Sequence, residues 1–251
     1  MTNAIDVLWT GGWDSTFRVL FASLIEQKEV RPHYIIDFER KSSLRELQAI
    51  SEIRSELRKL SQSAADRVGE IRITPITEIA SVNDITESFH RLKKKRYLGS
   101  QYDWLSRYAM THEITDLELS VHVDDKVYSF LEGKVDQDSF GRWKLRADEN
   151  GDVNILACFT FPVLEISKIQ MQEKAREFGF IDALEKSWFC FSPRSGEPCG
   201  ECNPCIYTVE EGMGYRLSSD AIFRYKTRHL GRVLKTPVRG SRKLYRKITT
   251  A

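Results

Sequence analysis

A glycine turn close to the start of the chain constrains the fold more than any other sequence feature. Apolar residues 4–9 predict a short buried strand. A helix is predicted directly after the turn, because Phe17, Leu20 and Leu24 recur at helical spacing. The turn between the two elements reads Thr10-Gly11-Gly12-Trp13-Asp14-Ser15-Thr16. The chain therefore opens with a strand, a glycine turn and a helix.

Strands and helices keep alternating after this first unit. Further strands are predicted at residues 33–37, 71–76 and 117–123, and helices at 42–60, 97–112 and 167–178. A hairpin is predicted to join 143–145 to 153–156, because Asn150-Gly151 is a strong turn signal. The alternation predicts an α/β fold with a parallel sheet and helices on both faces.

The composition favours one large domain with a small appendage. The 251 residues are 41% hydrophobic and 29% charged, which excludes a chain that is disordered throughout. The longest apolar stretch, residues 155–164, is about half the length of a membrane span. The first residues lack the features of a signal peptide. We therefore expect a cytoplasmic protein without a membrane partner.

Charge is unevenly distributed along the chain. The segment after Asp220 contains ten of the 38 Lys and Arg and none of the 36 Asp and Glu, which leaves residues 1–220 with a net charge of about −8. Such a basic tail can contact nucleic-acid phosphates, the acidic body of the protein or a partner subunit. Residues 91–96 are a second basic run, which fits either a solvated helix end or a surface that attracts anions.

The glycine turn has the chemistry of an anion site. Two glycines bring bare backbone N–H groups close to a ligand, Ser15 and Thr16 add hydroxyl donors, and the helix N-terminus supplies positive potential. Pyrophosphate suits such a site, and Asp14 can bind a magnesium ion that neutralises it. The structural alternative is that the glycines only end the strand and Asp14 only caps the helix.

Four of the five cysteines fall within residues 190–205. Cys190, Cys199, Cys202 and Cys205 have the spacing C-x8-C-x2-C-x2-C, and thiolates two residues apart can bind one ion from a tight turn. Four thiolates predict a closed, structural zinc site, with an iron–sulfur cluster as the main alternative and a redox pair as a weaker one. Cys158 lies in an apolar run and is predicted to be a core residue.

Two motifs carry a resemblance to a known family. Residues 10–15 resemble the Ser-Gly-Gly-x-Asp-Ser loop of the PP-loop ATP pyrophosphatases, with Thr10 in place of the first serine. The segment Ser187-Trp188-Phe189-Cys190, followed by Pro198-Cys199-Gly200-Glu201-Cys202-Asn203-Pro204-Cys205, is similar to the C-terminal zinc motif of the 7-cyano-7-deazaguanine synthase (QueC) family. Phe161-Pro162-Val163-Leu164 with Lys168 resembles the segment before that motif. The resemblance spans residues 4–212.

The resemblance implies a Rossmann-like, adenine-nucleotide alpha-hydrolase-like fold. It implies an ATP pyrophosphatase domain in residues 1–186, and a zinc-binding segment with the basic tail in 187–251. ATP, Mg²⁺ and Zn²⁺ are the implied cofactors, and Asp14, Ser15 and Lys168 are the implied catalytic residues. For Lys168, a solvated position at a helix start is the alternative. The residues implied to bind ATP are Trp9, Thr10, Gly11, Gly12, Trp13, Asp14, Ser15 and Thr16.

The resemblance also implies a reaction. The family activates 7-carboxy-7-deazaguanine with ATP and converts it with ammonia, first to an amide and then to a nitrile. Three segments differ here from the family: residues 38–43, 98–101 and 124–129. We therefore expect a 7-deazaguanine carboxylate to be adenylated and passed to an amine that can be larger than ammonia, such as an amine on a partner protein. Similar proteins occur in bacterial anti-phage systems, including the type IV cyclic-oligonucleotide branch.

Three other functions remain open at this stage: the ammonia-using nitrile synthase itself, a PP-loop enzyme that modifies RNA, and a nucleotide-binding scaffold without catalysis. A homodimer is the expected assembly. His122, at the end of the predicted fourth strand, is the histidine best placed to line a ligand cleft, and a buried, hydrogen-bonded histidine is the alternative.

Overall fold

The chain forms two compact units, Met1–Phe191 and Ser192–Ala251. The computed structural model describes residues 4–123 and 125–234, with side chains described as far as residue 228. The basic tail predicted to contact nucleic acid or protein therefore lies largely outside the described residues.

A seven-stranded, mostly parallel sheet organises the first unit. Its strands are β1 (Ala4–Leu8), β2 (Glu29–Ile36), β3 (Arg72–Pro75), β4 (Leu117–Glu118), β5 (Val135–Gln137), β6 (Trp143–Leu145) and β7 (Phe159–Phe161). They are arranged in the order β3-β2-β1-β4-β7-β6-β5, parallel from β3 to β7 and antiparallel at β6 and β5. The chain moves from β1 to β2 on one side and later returns to place β4 on the other. The carboxyl ends of β1 and β4 thus form a switch point, where open α/β sheets bind ligands.

Helices flank this sheet in two packing groups. One group consists of α1 (Trp13–Leu24), α2 (Ser43–Leu60), α3 (Gln62–Arg67), α7 (Lys168–Glu177) and α8 (Ile181–Glu185). The other consists of α4 (Asn83–Lys95), α5 (Gln101–Thr111) and the 3₁₀ helix Asp152–Leu156, and α6 (Tyr128–Leu131) lies between β4 and β5 in the chain. The predicted α/β class is confirmed.

Two predictions about strands are wrong in detail. Residues 153–156 do not pair with β6, because the chain enters a 3₁₀ helix after Gly151, whose φ is +83°, and this helix buries Val153, Ile155 and Leu156. β6 pairs instead with β5 and β7. The predicted fourth strand is shorter than 117–123, because the Val121 N–H turns back to the carbonyl of Leu119.

A buried ion pair joins α1 to the centre of the sheet. Arg18 on α1 donates from Nε to Oε2 of Glu118 at 2.6 Å and from Nη2 to Oε1 at 3.2 Å. The two side chains are 3% and 0% exposed. Arg142 adds a longer bond to Glu118 at 3.4 Å. This bidentate geometry compensates for the desolvation of both charges.

Replacing Glu118 with glutamine is expected to lower the free energy of unfolding of this unit by about 3 kcal/mol, because the Arg18 guanidinium stays buried without its counter-charge. Denaturant unfolding followed by tryptophan fluorescence measures this unit alone, since all five Trp residues lie within Met1–Phe191. Asp116→Asn is the matched control, because its ion pair with Lys144 is exposed and we expect a loss below about 1 kcal/mol. Equal losses in both variants would contradict the prediction.

A second charged group, on β1 and β2, makes the stability of the fold depend on pH. His33 Nε2 lies 2.8 Å from Oδ1 of Asp6, His33 Nδ1 lies 2.7 Å from the hydroxyl of the buried Tyr108, and the Arg31 guanidinium also donates to Asp6. Burial on its own raises the pKa of Asp6, but the hydrogen bonds from His33 and Arg31 outweigh burial and lower this pKa from 3.8 to about 2. Ionised Asp6 therefore stabilises the fold above about pH 4, and this contribution is lost as the pH falls through about 2.

Asp6→Asn is expected to lower the free energy of unfolding by about 2 kcal/mol at pH 6, and the difference from the unsubstituted protein is expected to shrink as the pH falls from 4 towards 2. Denaturant unfolding at a series of pH values measures the difference. A difference that is the same at pH 6 and pH 3 would contradict the assignment.

The second unit contains two described α-helices, α9 (Asn203–Thr208) and α10 (Ser219–Leu234). They are connected by a π-helical turn, Val209–Met213, and a 3₁₀ turn, Gly214–Arg216. Gly200 has a φ of +79°, and a Cβ there would lie 2.1 Å from the carbonyl oxygen of Ala221. Glycine at this position therefore allows the cysteine-bearing loop to lie against the start of α10.

Candidate active site and metal centre

The glycine turn lies at the carboxyl end of β1 and leads directly into α1. Gly11 has a φ of +71°, and Gly12 precedes the first helical residue in an extended conformation. A Cβ on Gly11 would lie 2.9 Å from the carbonyl oxygen of Glu46 on α2. Gly11 is thus required both by its backbone conformation and by the close approach of α2.

Hydrogen bonds inside the turn hold its shape. The Ser15 hydroxyl accepts from the Thr10 N–H at 3.3 Å and lies 3.2 Å from the Thr10 hydroxyl. Trp9 donates from Nε1 to the Thr16 hydroxyl at 3.1 Å, and both side chains are fully buried. The Trp188 N–H donates to the carbonyl of Gly11 at 2.8 Å. Trp9, Thr16 and Trp188 therefore support the turn from the protein interior.

The predicted nucleotide-binding residues consequently differ in accessibility. Gly11, Trp13 and Ser15 are buried, whereas Thr10, Gly12 and Asp14 are partly exposed. The sequence did not distinguish between these two sets. Exposure of the second set at the N-terminus of α1 leaves an approach for an anionic ligand.

Asp14 faces the residues that follow β4. Its Oδ2 lies 4.0 Å from Nε2 of His122, and its side chain is 25% exposed. Its Oδ1 is buried, and within residues 4–123 and 125–234 it accepts no hydrogen bond. A buried carboxylate oxygen without a donor is unfavourable unless a ligand compensates it. Asp14 therefore fits a cation ligand better than a helix cap.

Asp125 and Lys168 bring two further charges to the same edge of the sheet. Asp125 follows β4 and Lys168 follows β7, so both stand at carboxyl ends of strands that run parallel to β1. Loss of hydration around its carboxylate raises the pKa of Asp125, although the residue as a whole is exposed. The positive charges of His122 and Lys168 lower this pKa, and the negative charge of Asp14 raises it.

These four residues form one electrostatically linked group on three neighbouring strands. Asp14 and Lys168 were predicted as site residues, and Lys168 begins α7 behind a capping box of Ser167 and Gln170. His122 is 5% exposed and faces Asp14, which unites the two alternatives considered for it. Asp125 was missed as a site residue. The available signal was its position after a predicted strand, since ligands of parallel sheets bind beyond the carboxyl ends of strands.

A second cluster is formed by the four predicted metal-binding cysteines. The sulfur atoms of Cys190, Cys199, Cys202 and Cys205 all lie within 4.8 Å of one another. The distance from Cys199 Sγ to Cys205 Sγ is 3.9 Å, and that from Cys202 Sγ to Cys205 Sγ is 3.4 Å. A tetrahedral zinc ion with Zn–S bonds of about 2.3 Å separates its sulfur ligands by about 3.8 Å. The four cysteines can therefore hold one metal ion such as zinc.

The surroundings of the cluster suit thiolates. The N–H groups of Glu201 and Cys202 point at Cys199 Sγ from 3.4 and 3.3 Å. Such donors stabilise negative charge on sulfur. A polynuclear iron–sulfur cluster would hold its cysteine ligands farther apart than this arrangement does, so the geometry favours a single ion.

Cys158 is separate from this cluster. Its sulfur is 3.7 Å from the carbonyl of Ile155, and burial raises the pKa of its thiol to about 12. Such a thiol is unreactive at neutral pH. The prediction that Cys158 is a packing residue agrees with this environment.

No protein-family model matches the chain, and a search of curated proteins gives no match either. The resemblance of residues 4–212 to the QueC family therefore stays a prediction that depends on the two motifs. Among the described helices, none is both long enough and apolar enough to cross a membrane.

Proposed function

We propose that the protein is a QueC-like, ATP-dependent carbon–nitrogen ligase with an adenine-nucleotide alpha-hydrolase-like fold. It adenylates a 7-deazaguanine carboxylate and transfers the acyl group to an amine. The observation that carries this proposal is the convergence of Asp14, His122, Asp125 and Lys168 beside the glycine turn. A turn at a helix N-terminus suits pyrophosphate, and the carboxylates beside it suit a divalent cation.

The proposed reaction has two steps. A carboxylate oxygen of the substrate attacks the α-phosphorus of ATP, the bond to the bridging oxygen breaks, and pyrophosphate leaves. The amine then attacks the carbonyl carbon, AMP leaves with the acyl oxygen, and the amine releases a proton. Both steps create negative charge on leaving phosphates, so positioning and charge compensation supply most of the rate enhancement.

The residues divide these tasks. The N–H groups at Gly12 and the first turn of α1 would hold the leaving pyrophosphate, and Lys168 would add positive charge on the opposite side of the cleft. Asp14 would hold Mg²⁺, which neutralises the phosphates when bound. Ser15 maintains the turn through its bonds to Thr10 rather than extending towards solvent.

An exposed apolar surface beside the turn supports a macromolecular amine acceptor. Phe38 is 73% exposed and Leu44 is 81% exposed, and both lie on the segment between β2 and α2. This segment adjoins the turn, because the Glu46 carbonyl packs against Gly11. Large exposed apolar side chains are typical of protein interaction surfaces. A partner protein that presents its amine here is therefore the proposed acceptor, in an anti-phage system or elsewhere in the cytoplasm.

The exchange of labelled pyrophosphate into ATP tests the first step. We expect exchange that requires Mg²⁺ and 7-carboxy-7-deazaguanine together, and no exchange with benzoate as a control carboxylate. Mass spectrometry of the products after addition of ammonia or of candidate partner proteins tests the second step.

Each outcome separates the proposal from an alternative. An amide or nitrile formed only from ammonia identifies the nitrile synthase. Nucleotide binding without exchange identifies a scaffold that lacks catalysis. Exchange that depends on RNA rather than on the deazapurine identifies an RNA-modifying enzyme, and any of these three results overturns the proposed acceptor.

A further inference from the structure

The C-terminal end of α4 forms a strongly basic surface. Five of residues 91–96 are Lys or Arg, and the sixth, Leu92, is buried and anchors the helix. Lys126, from the segment that follows β4, joins them. We call this the α4 surface, and it consists of Arg91, Lys93, Lys94, Lys95, Arg96, Tyr97 and Lys126. All seven side chains are exposed.

Bonds to other elements hold the edges of this surface in place. Arg91 donates from Nε to Asp152 at 2.7 Å, and Lys95 Nζ lies 3.6 Å from the same carboxylate. Arg96 donates to the backbone carbonyl of Ser129 at 3.1 Å. The basic groups are therefore attached to a framework rather than to a free helix end.

An aromatic ring lies within the α4 surface. Tyr97 is 66% exposed and follows the helix directly, next to the buried Leu98. The Lys126 ammonium lies 4.6 Å from the centre of the Tyr97 ring. The ring is thus held between basic side chains that come from two different segments of the chain.

The charges of the α4 surface are only partly balanced. Asp152 pairs with Arg91 and Lys95, and Glu87 lies 3.5 Å from Arg91. For Lys93 and Lys94, the described residues provide no carboxylate within 4.0 Å. Lysines at a helix C-terminus interact favourably with the helix dipole, and this explains their position. The dipole explains neither the exposed tyrosine nor the arrival of Lys126 from another segment.

We propose that the α4 surface binds single-stranded nucleic acid. Lys93, Lys94 and Lys126 would contact phosphates, and an unpaired base would stack on Tyr97. Exposed aromatic rings among basic side chains are the usual recognition surface for single strands. An acidic peptide would use the same lysines but has no need of a planar ring. The proposal is independent of the ligase activity and does not require it.

Fluorescence anisotropy with the full chain tests this binding. The probes are fluorescein-labelled 12-nucleotide oligo(dT) and oligo(rU) in 50 mM salt, and the arms with DNA and RNA determine which sugar is preferred. The double variant K93E/K94E is expected to weaken binding at least about tenfold and to reduce the salt dependence by about one ion. Y97A is expected to weaken binding about tenfold through loss of stacking.

R58E/K59E is the matched control, because it reverses two charges in the last turn of another helix, α2. We expect it to bind like the unsubstituted protein, and circular dichroism checks that every variant is folded. The proposal is overturned if neither oligonucleotide binds, if binding persists unchanged in K93E/K94E and Y97A, or if the control loses as much affinity. It is also overturned if poly-glutamate competes as well as an unlabelled oligonucleotide of the same charge, which would identify an acidic peptide as the ligand.

Discussion

Replacing Cys199 with serine is expected to release the bound metal and unfold the unit Ser192–Ala251. Cys199 supplies one of four sulfur atoms that lie within 4.8 Å of one another, and it is 3% exposed. Binding of structural zinc contributes on the order of 10 kcal/mol to the folding of small domains. A unit of this size with two short described helices has little apolar core to replace that contribution.

Metal content and hydrogen exchange measure this effect together. We expect one zinc and no iron per chain in the unsubstituted protein, and less than a tenth of that zinc in Cys199→Ser. Amide protection is expected to fall in α9 and at Ala221, which packs on the Gly200 loop. Tryptophan fluorescence reports on Met1–Phe191 only, so it shows whether the other unit remains folded.

Cys158→Ser is the control for this experiment, because that thiol is outside the cluster. It is expected to retain the zinc and the amide protection. Full zinc content in Cys199→Ser, or unchanged amide protection after complete removal of the metal with a chelator, would disprove a structural metal site. Iron and a coloured protein would instead identify the cluster that the sequence left open.

Replacing Asp14 with asparagine is expected to slow pyrophosphate exchange by about 10²–10³-fold. The reason is electrostatic: asparagine keeps the shape of the side chain but removes the charge that holds a divalent cation beside the leaving pyrophosphate. Stability is expected to change little or to increase, because Oδ1 is a buried carboxylate oxygen that receives no hydrogen bond from the described chain.

Manganese titration supplies a readout that does not depend on turnover. Asp14→Asn is expected to bind Mn²⁺ and ATP together at least about tenfold more weakly than the unsubstituted protein does. Asp84→Asn is the matched control, because Asp84 is also an acidic residue in the first turn of a helix, α4. Exchange at the original rate in Asp14→Asn would remove Asp14 from the site, whereas equal losses in both variants would point to a general effect of charge.

Several elements were predictable because their signals are local. The helix predicted at 167–178 is observed as Lys168–Glu177, since Ser167 and Gln170 cap it and Gly179, with a φ of +75°, ends it. The helix predicted at 42–60 is observed as Ser43–Leu60. The spacing of the four cysteines also predicted their convergence, because the last three lie close together in the chain.

Other features depend on residues that are far apart in the chain. Arg18 and Glu118 are 100 positions apart, and no periodicity indicates that they meet. The hairpin prediction failed for a related reason: the signal at Asn150-Gly151 was real, but the partner of β6 is decided by strands that the turn does not contain. Asp125 reaches the site only because β4 lies next to β1.

By itself, the sequence determined the glycine turn, the principal helices, the α/β class and the identity of the metal-binding cysteines. Each of these depends on backbone conformation or side-chain spacing over a few residues, which neighbouring positions specify. Only the tertiary structure decided the strand order, the pairing of Arg18 with Glu118 and the meeting of Asp14, His122, Asp125 and Lys168. Those arrangements follow from which buried surfaces pack together across the whole unit, and no local pattern specifies that choice.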